Sequence, residues 1–220
     1  MVMLSSLATA QIENSWILIN DYDPNKVIPG GTVDVSFMVY KPAGVEIEGV
    51  LRPFIGYYEG NNFVIVNDFN APGTSELISW GMEENQKSFI LPLKILDNAP
   101  VGMSMYLGVG LEMECSYRLI DVDNDNRITK NNDNIVITIG GQDFNKQITD
   151  VREYASGTQY YIASGNYVWT AGPVLRIRAY SIAQILEPPS ESWLTIVTIG
   201  VGVCAVIVIG IILILRRRRR

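Results

Sequence analysis

From Gly31 to Tyr40, GTVDVSFMVY, polar and apolar positions alternate, with Val33, Val35, Phe37 and Val39 pointing one way and Asp34 and Ser36 the other. A period of two marks a strand with one buried face, because successive side chains leave opposite sides of a pleated backbone. SFILPLKIL repeats the device with Phe89, Leu91, Leu93 and Ile95, and NIVITIGG and VLRIRAYSI do so again. In PFIGYYEGNNFVIV two β-rich runs flank Glu59-Gly60-Asn61-Asn62, residues that tolerate the positive φ of a hairpin turn. Gly30-Gly31, Pro72-Gly73 and Gly140-Gly141 break the chain between runs, Pro188-Pro189 closes the series, and no interval carries the period of an amphipathic helix. About ten strands are expected between Ser15 and Ser181, which predicts an all-β, antiparallel β-sandwich. One enlarged sandwich, or a sandwich with a small β extension after Gly141, accommodates that count.

The last part of the chain follows another pattern. WLTIVTIGVGVCAVIVIGIILIL, Trp193 to Leu215, is 23 residues without a charge, enough at about 1.5 Å per residue to cross a hydrocarbon core of roughly 30 Å. It predicts one C-terminal transmembrane α-helix. Arg216 to Arg220 follow it directly, whereas the other flank, ILEPPSES, carries only acidic charge. Arginines remain on the cytoplasmic side, so the β body is expected to face outward as an ectodomain. A tail-anchored protein with a cytosolic body would have to push all of these arginines across the membrane. Export requires a leader, and MVMLSSLATA ends in Ala8-Thr9-Ala10, an A-x-A cleavage pattern before Gln11, but lacks a basic start. The expected order is a signal-peptide remnant at 1–10, the β domain at 11–185, a proline-stiffened stalk at 186–192, the membrane helix at 193–215 and a basic tail at 216–220. Thr198, Gly202 and Ala205 form a small-residue stripe on that helix, through which a homo-oligomer would pack.

Charge narrows the partners. Upstream of the tail there are 12 basic against 23 acidic residues, a balance of −11. Such a body repels phosphate backbones, so no nucleic-acid partner is expected. The chain has no histidine, which removes Ser-His-Asp, Cys-His and zincin arrangements and with them most familiar hydrolases; no enzyme is expected, because no acid pair can be singled out either. A carboxylate-based glycosidase survives this exclusion, because it needs only a facing acid pair. The two cysteines, Cys115 in the body and Cys204 inside the apolar run, are not expected to pair.

One short stretch can carry chemistry. In IDVDNDNRITKN, Asp121, Asp123 and Asp125 stand at positions one, three and five of a calcium-loop pattern, where alternate oxygens converge when the backbone curls around the ion. Arg127 offers its carbonyl at seven and Ile128 fills the apolar eighth place. Asn126 replaces the glycine of position six, and asparagine enters the left-handed region more readily than most residues. Position twelve wants a bidentate glutamate and holds Asn132, with Asp133 one place late. SYRLI before and NIVITI after read as strands, so this is no EF-hand domain. The metal expectation is weak Ca²⁺ binding by Asp121, Asp123, Asp125, Arg127, Asn132 and Asp133, with Kd on the order of 10⁻⁴ to 10⁻³ M. The alternative is a solvated acidic turn, for which Asp and Asn are favoured in any protein. Asp21 and Asp23 in NDYDPN read as a turn. Tyr154, Tyr160, Tyr161, Tyr167 and Trp169 read as core packing, with stacking on sugars as the other use of any that are exposed.

YDPNKVIPGGTVDVSFMVYKPAG, Tyr22 to Gly44, resembles the opening of immunoglobulin-like domains of archaeal and bacterial surface proteins of S-layer-associated or cell-adhesion type, where a proline-glycine turn leads into a long alternating strand. LPLKILDNAPVGMSMYLGVGLE, Leu91 to Glu112, resembles their later strand-turn-strand signature, and the helix with its arginine run resembles their anchors. The resemblance covers roughly a quarter of the chain and implies an immunoglobulin-like sandwich with a structural, adhesive or assembly role in a prokaryotic envelope. The partners it implies are the lipid bilayer and envelope or surface proteins, with glycans as a further class. A calcium-dependent ligand-binding accessory subunit of a membrane complex is the alternative.

Overall fold

A computed structural model of the chain describes residues 16–60, 62–164 and 167–188. The expected leader, membrane helix and basic tail lie outside the described residues. Among those described, no helix is long and apolar enough to cross a membrane. The chain divides into two units after Leu186, and of the second only Glu187 and Pro188 are described.

The first unit is all-β. Its strands are β1 (Ile17–Tyr22), β2 (Thr32–Tyr40), β3 (Ile47–Glu59), β4 (Asn62–Ile65), β5 (Glu76–Trp80), β6 (Gln86–Lys94), β7 (Ser104–Met113), β8 (Ser116–Ile120), β9 (Asn134–Ile139), β10 (Gln142–Gln147), β11 (Asp150–Tyr154), β12 (Gly157–Ser164), β13 (Tyr167–Ala171) and β14 (Leu175–Gln184). Every pairing between them is antiparallel. A small sheet runs β1-β2-β6, a second small sheet runs β10-β9-β8, and a large sheet runs β11-β12-β13-β14-β7-β3-β4 with β5 also on β3.

The alternation reads directly onto the burial. Val33, Val35, Phe37 and Val39 of β2 are all sealed from solvent, and Phe89, Leu91, Leu93 and Ile95 on or just after β6 are buried beside them. They face Leu51 and Ile55 of β3, Leu107, Val109 and Leu111 of β7 and Ile177 of β14 in one core. Each such side chain contributes roughly 1.5–3 kcal/mol by leaving water. β1 packs against β14 and β7, and β6 against β3, which makes the two sheets opposite walls of that core. Trp16 ties in the third sheet, with its ring 5.6 Å from Phe144 of β10 and 5.5 Å from Trp169 of β13, both edge to face.

There are more strands than the periodicity marks. β10, QDFNKQ, and β11, DVREY, are written almost wholly in polar residues. Both are outermost strands, paired only to β9 and β12, and neither has a fully buried side of its own to produce an apolar stripe. The expected turns behave as their residues require: Gly60 in the β3–β4 hairpin has φ 60°. Asp23 caps a 3-10 turn at Pro24–Lys26, its Oδ1 accepting from the Asn25 N–H at 3.0 Å.

The outer face of the large sheet is also ordered by register. Arg176 of β14 stands opposite Glu112 of β7, and the two pair at 2.8 Å. Two residues along, Arg178 stands opposite Gly110, and Tyr180 opposite Gly108. On the other side of β7, Phe54 of β3 also stands opposite Gly108. A Cβ at Gly108 would strike the Phe54 ring and come within 2.6 Å of the Ala179 carbonyl oxygen, so the missing side chain is what lets that ring lie down on the sheet.

Candidate metal centre

The acidic stretch connects β8 to β9, neighbours in register from Ile120 opposite Asn134. Closing these strands forces the intervening chain into a compact loop, and its tightest bends fall on Asn124 (φ 60°), Asn126 (φ 61°) and Asn131 (φ 66°). Asparagine is the residue after glycine that best tolerates this region. Asn126 thus adopts the left-handed turn that position six requires.

The loop is held by carboxylates accepting its own N–H groups. Asp121 Oδ2 accepts from the Asn126 N–H (2.8 Å), Asp123 Oδ1 from the Asp125 N–H (3.3 Å) and Asp125 Oδ1 from the Arg127 N–H (2.8 Å). Asp133, inaccessible to solvent, reaches back across the loop. Its Oδ1 accepts from the Val122 N–H (2.8 Å), and its Oδ2 from the N–H (2.7 Å) and hydroxyl (3.1 Å) of Thr129. One oxygen from each of Asp121, Asp123 and Asp133 lies within 4.8 Å of the others. Oxygens sharing one Ca²⁺ at about 2.3–2.6 Å are at most ~5 Å apart, so the trio has the span of a single ion's shell.

The electrostatics differ within the trio. Backbone N–H groups of Thr129 and Val122, with the Thr129 hydroxyl, hold Asp133 below the usual aspartate range. Desolvation, followed by the charge of Asp125, a close approach to Asp121 and the charge of Asp133, pushes Asp123 upward. Asp121 Oδ1 is buried and has no hydrogen-bond partner among the described residues. A carboxylate oxygen in that position lacks the compensation that buried polar atoms ordinarily find, and a cation supplies it.

The expected ligands therefore separate. Asp121, Asp123 and Asp133 converge. Asp125 lies outside the trio, and Arg127 gives its N–H to Asp125. Asn132 Nδ2 stands 3.4 Å from Asp123 Oδ2; turning that amide over would present its oxygen to the same space. All these donors are oxygens, the set that suits a hard cation.

No family model, curated protein or solved structure matches the chain.

Sequence reasoning missed a second cluster. Phe54, Tyr58, Tyr106, Arg178 and Tyr180 meet on the outer face of the large sheet, beside Arg152 and Tyr161, and line a cavity of about 460 Å³. With Arg152 and Tyr161 they come from five different strands, so no spacing announces them. The available signal was YLGVGLE, in which glycines alternate with buried Leu107, Val109 and Leu111. Glycine on one face of a strand marks a place where something else lies close. Of the aromatic stretch, Trp169 and Tyr160 are buried, Tyr161 lines the cavity, Tyr154 is half exposed, and the Tyr167 side chain lies outside the described residues. The cavity lining holds one carboxylate, Asp150, already paired with Arg152 at 2.8 Å, so it offers no facing acid pair for glycoside hydrolysis.

Proposed function

We propose that the chain is a single-pass membrane-anchored surface protein, not an enzyme, whose β body has a structural, adhesive or assembly role in a prokaryotic cell envelope, with calcium stiffening the 121–133 loop. The observation that carries the calcium part is the convergence of one oxygen from each of Asp121, Asp123 and Asp133 within 4.8 Å, together with a buried Asp121 Oδ1 that no donor among the described residues reaches. An all-oxygen set with no histidine favours calcium over zinc or copper, at the weak affinity of extracellular modules, on the order of 10⁻⁴ to 10⁻³ M. The anchoring part rests on the uncharged run 193–215 and the arginines after it, which keep the basic tail cytoplasmic and the β body outside. The immunoglobulin-like reading, and with it the likeness to S-layer-associated and adhesion domains, is supported by two facing antiparallel sheets on one apolar core. The sheet β10-β9-β8 and the length of the large sheet extend beyond the roughly seven strands of a minimal domain of that kind. Its partners are the bilayer and envelope or surface proteins, including glycans, and the helix stripe allows a homo-oligomer.

Thermal unfolding of the full chain in detergent, in chelator and in calcium of roughly 10 mM, above the expected Kd range, tests the metal. Calcium raises Tm by several degrees, magnesium does not, and Asp121→Ala abolishes the rise. An unchanged Tm in calcium overturns the metal assignment. Protease protection of the basic tail in sealed membranes tests the orientation separately; a tail digested from the outside overturns it.

A second reading, a ligand-binding accessory subunit of a membrane complex, is favoured by the cavity on the large sheet, whose rim includes Lys130 of the acidic loop.

A further inference from the structure

The body is strongly acidic, yet the cavity on the outer face of the large sheet carries Lys130, Arg152 and Arg178 against one acid, Asp150. Their surroundings divide these cations. Arg152 is engaged: its Nε donates to Asp150 at 2.8 Å and its guanidinium lies 4.7 Å from the Tyr161 ring centroid. Arg178 is not engaged in that way. Its neighbour Arg176 finds Glu112 across the strand, whereas the position across from Arg178 is Gly110, and no carboxylate among the described residues pairs with it. What it meets is Phe54, with the guanidinium 5.8 Å from the ring centroid. Burial and the adjacent Arg176 pull its pKa down, and Glu112, which is paired with Arg176, offsets them only in part, so the fold carries the cost of this charge without an ion-pair partner of its own.

The wall beside it is aromatic and pre-formed. Tyr106 meets Tyr58 at 5.5 Å and Tyr180 at 5.2 Å, both edge to face, and Tyr58 meets Phe63 at 5.0 Å. Interlocked rings of this kind lose little freedom on binding, and each tyrosine adds a hydroxyl next to an apolar face. The far side supplies Tyr161 and Thr149. The cavity volume, about 460 Å³, falls in the range of roughly 300–1,000 Å³ for small-ligand sites.

A ligand for this cavity needs an apolar ring face, hydroxyls at its edge and a single negative charge. We propose that the outer-face cavity binds a carboxylate-bearing sugar unit, a uronic acid of an acidic glycan, with Arg178 receiving the carboxylate and the Tyr58–Tyr106–Tyr180 wall receiving the sugar ring. A planar guanidinium matches a carboxylate in a two-pronged fork. With Arg152 already neutralised by Asp150 and Lys130 exposed at the rim, the one half-buried guanidinium left over is that of Arg178, whose planar fork matches a single carboxylate. Neutral sugars lack the group that would compensate Arg178. The proposal rests on the ligand-binding reading above, but not on calcium, because Arg178 and the rings stand on strands rather than on the acidic loop.

The test is ligand-observed NMR on the full chain in detergent, in chelator, with glucuronate, glucose and inorganic phosphate as probes. Glucuronate binds saturably and glucose at least ten-fold more weakly. Gly110→Glu places an acid opposite Arg178, as Glu112 stands opposite Arg176; a Cβ at Gly110 meets nothing closer than 3.8 Å, so the sheet accepts it. That variant keeps its Tm and loses glucuronate binding at least ten-fold, as does Arg178→Gln. Tyr58→Ala, at a ring 56% exposed, weakens binding several-fold with no change of fold. Equal binding of glucose and glucuronate, or undiminished binding in a folded Gly110→Glu variant, overturns the proposal. Phosphate binding in preference to glucuronate overturns the saccharide assignment and leaves the ligand-binding reading in place, whereas no binding of any probe overturns both.

Discussion

The acidic loop and the aromatic cavity are opposite kinds of site on one body. The loop gathers Asp121, Asp123 and Asp133 from 13 consecutive residues, 121–133, and holds them with its own N–H groups. The cavity gathers its arginines and most of its rings from separate strands and holds them by sheet register. In the loop, an anion lacks a partner because carboxylates crowd together; in the cavity, a cation lacks one because a glycine stands where an acid would be. An unsatisfied charge therefore has two structural origins, excess of one sign and absence of the other.

The sharpest way to break the comparison is to collapse the cavity and leave the loop alone. Gly108→Val forces a side chain into the Phe54 ring and toward the Ala179 carbonyl, so destabilisation of about 1–3 kcal/mol is expected from overpacking. Denaturant unfolding reads this, while the calcium-induced rise in Tm persists. Next in size, Asp133→Ala orphans the Val122 and Thr129 N–H groups at once. Tm falls by several degrees even in chelator, and the calcium response disappears with it.

pH separates the loop's two roles. Asp133 has a lowered pKa in the folded protein, so its stabilising contribution is complete above the unfolded aspartate value and is lost as pH falls through the folded one. Asp123 runs the other way: its raised pKa means that, without a cation, ionising it works against folding as pH rises through that value. Calcium-dependent stabilisation is accordingly greatest at neutral pH and vanishes as Asp123 and then Asp133 take up protons. A calcium-induced Tm rise that does not shrink in acid would contradict this ordering. The smallest effect belongs to Asp125→Ala, which removes one exposed hydrogen bond to Arg127 but no member of the trio. Its calcium titration should shift far less than that of Asp121→Ala, although the spacing alone ranks the two equally.

Legibility follows from how far apart in sequence the partners lie. The strands with buried faces were readable because alternation is local: the pattern in β2 and β6 anticipated the sealed side chains of Val33, Phe37, Leu93 and Ile95. β10 and β11 were not, because each takes its place from a single neighbouring strand rather than from an apolar stripe of its own. In the loop, the positions of Asp121 and Asp123 followed from spacing. That Asp133 turns inward to join them depended on the closure of β8 onto β9, which fixes the last residue before the strand. For the cavity, only the glycines of YLGVGLE hinted at a close approach. Which arginine would face a glycine and which a glutamate is a question of register between β14 and β7, elements about 70 residues apart, and strand composition alone does not specify register.

Lys130 belongs to the acidic loop by sequence and to the cavity rim by position. An ion that orders the loop fixes the backbone from which this ammonium extends, and an anion in the cavity attracts the same ammonium. On the two proposals above, the equilibria are linked through one side chain, and linkage is reciprocal: whatever factor calcium applied to the affinity for an anionic sugar, the sugar would apply to the affinity for calcium. In an environment where both are near their dissociation constants, the surface would respond to their product rather than to either alone.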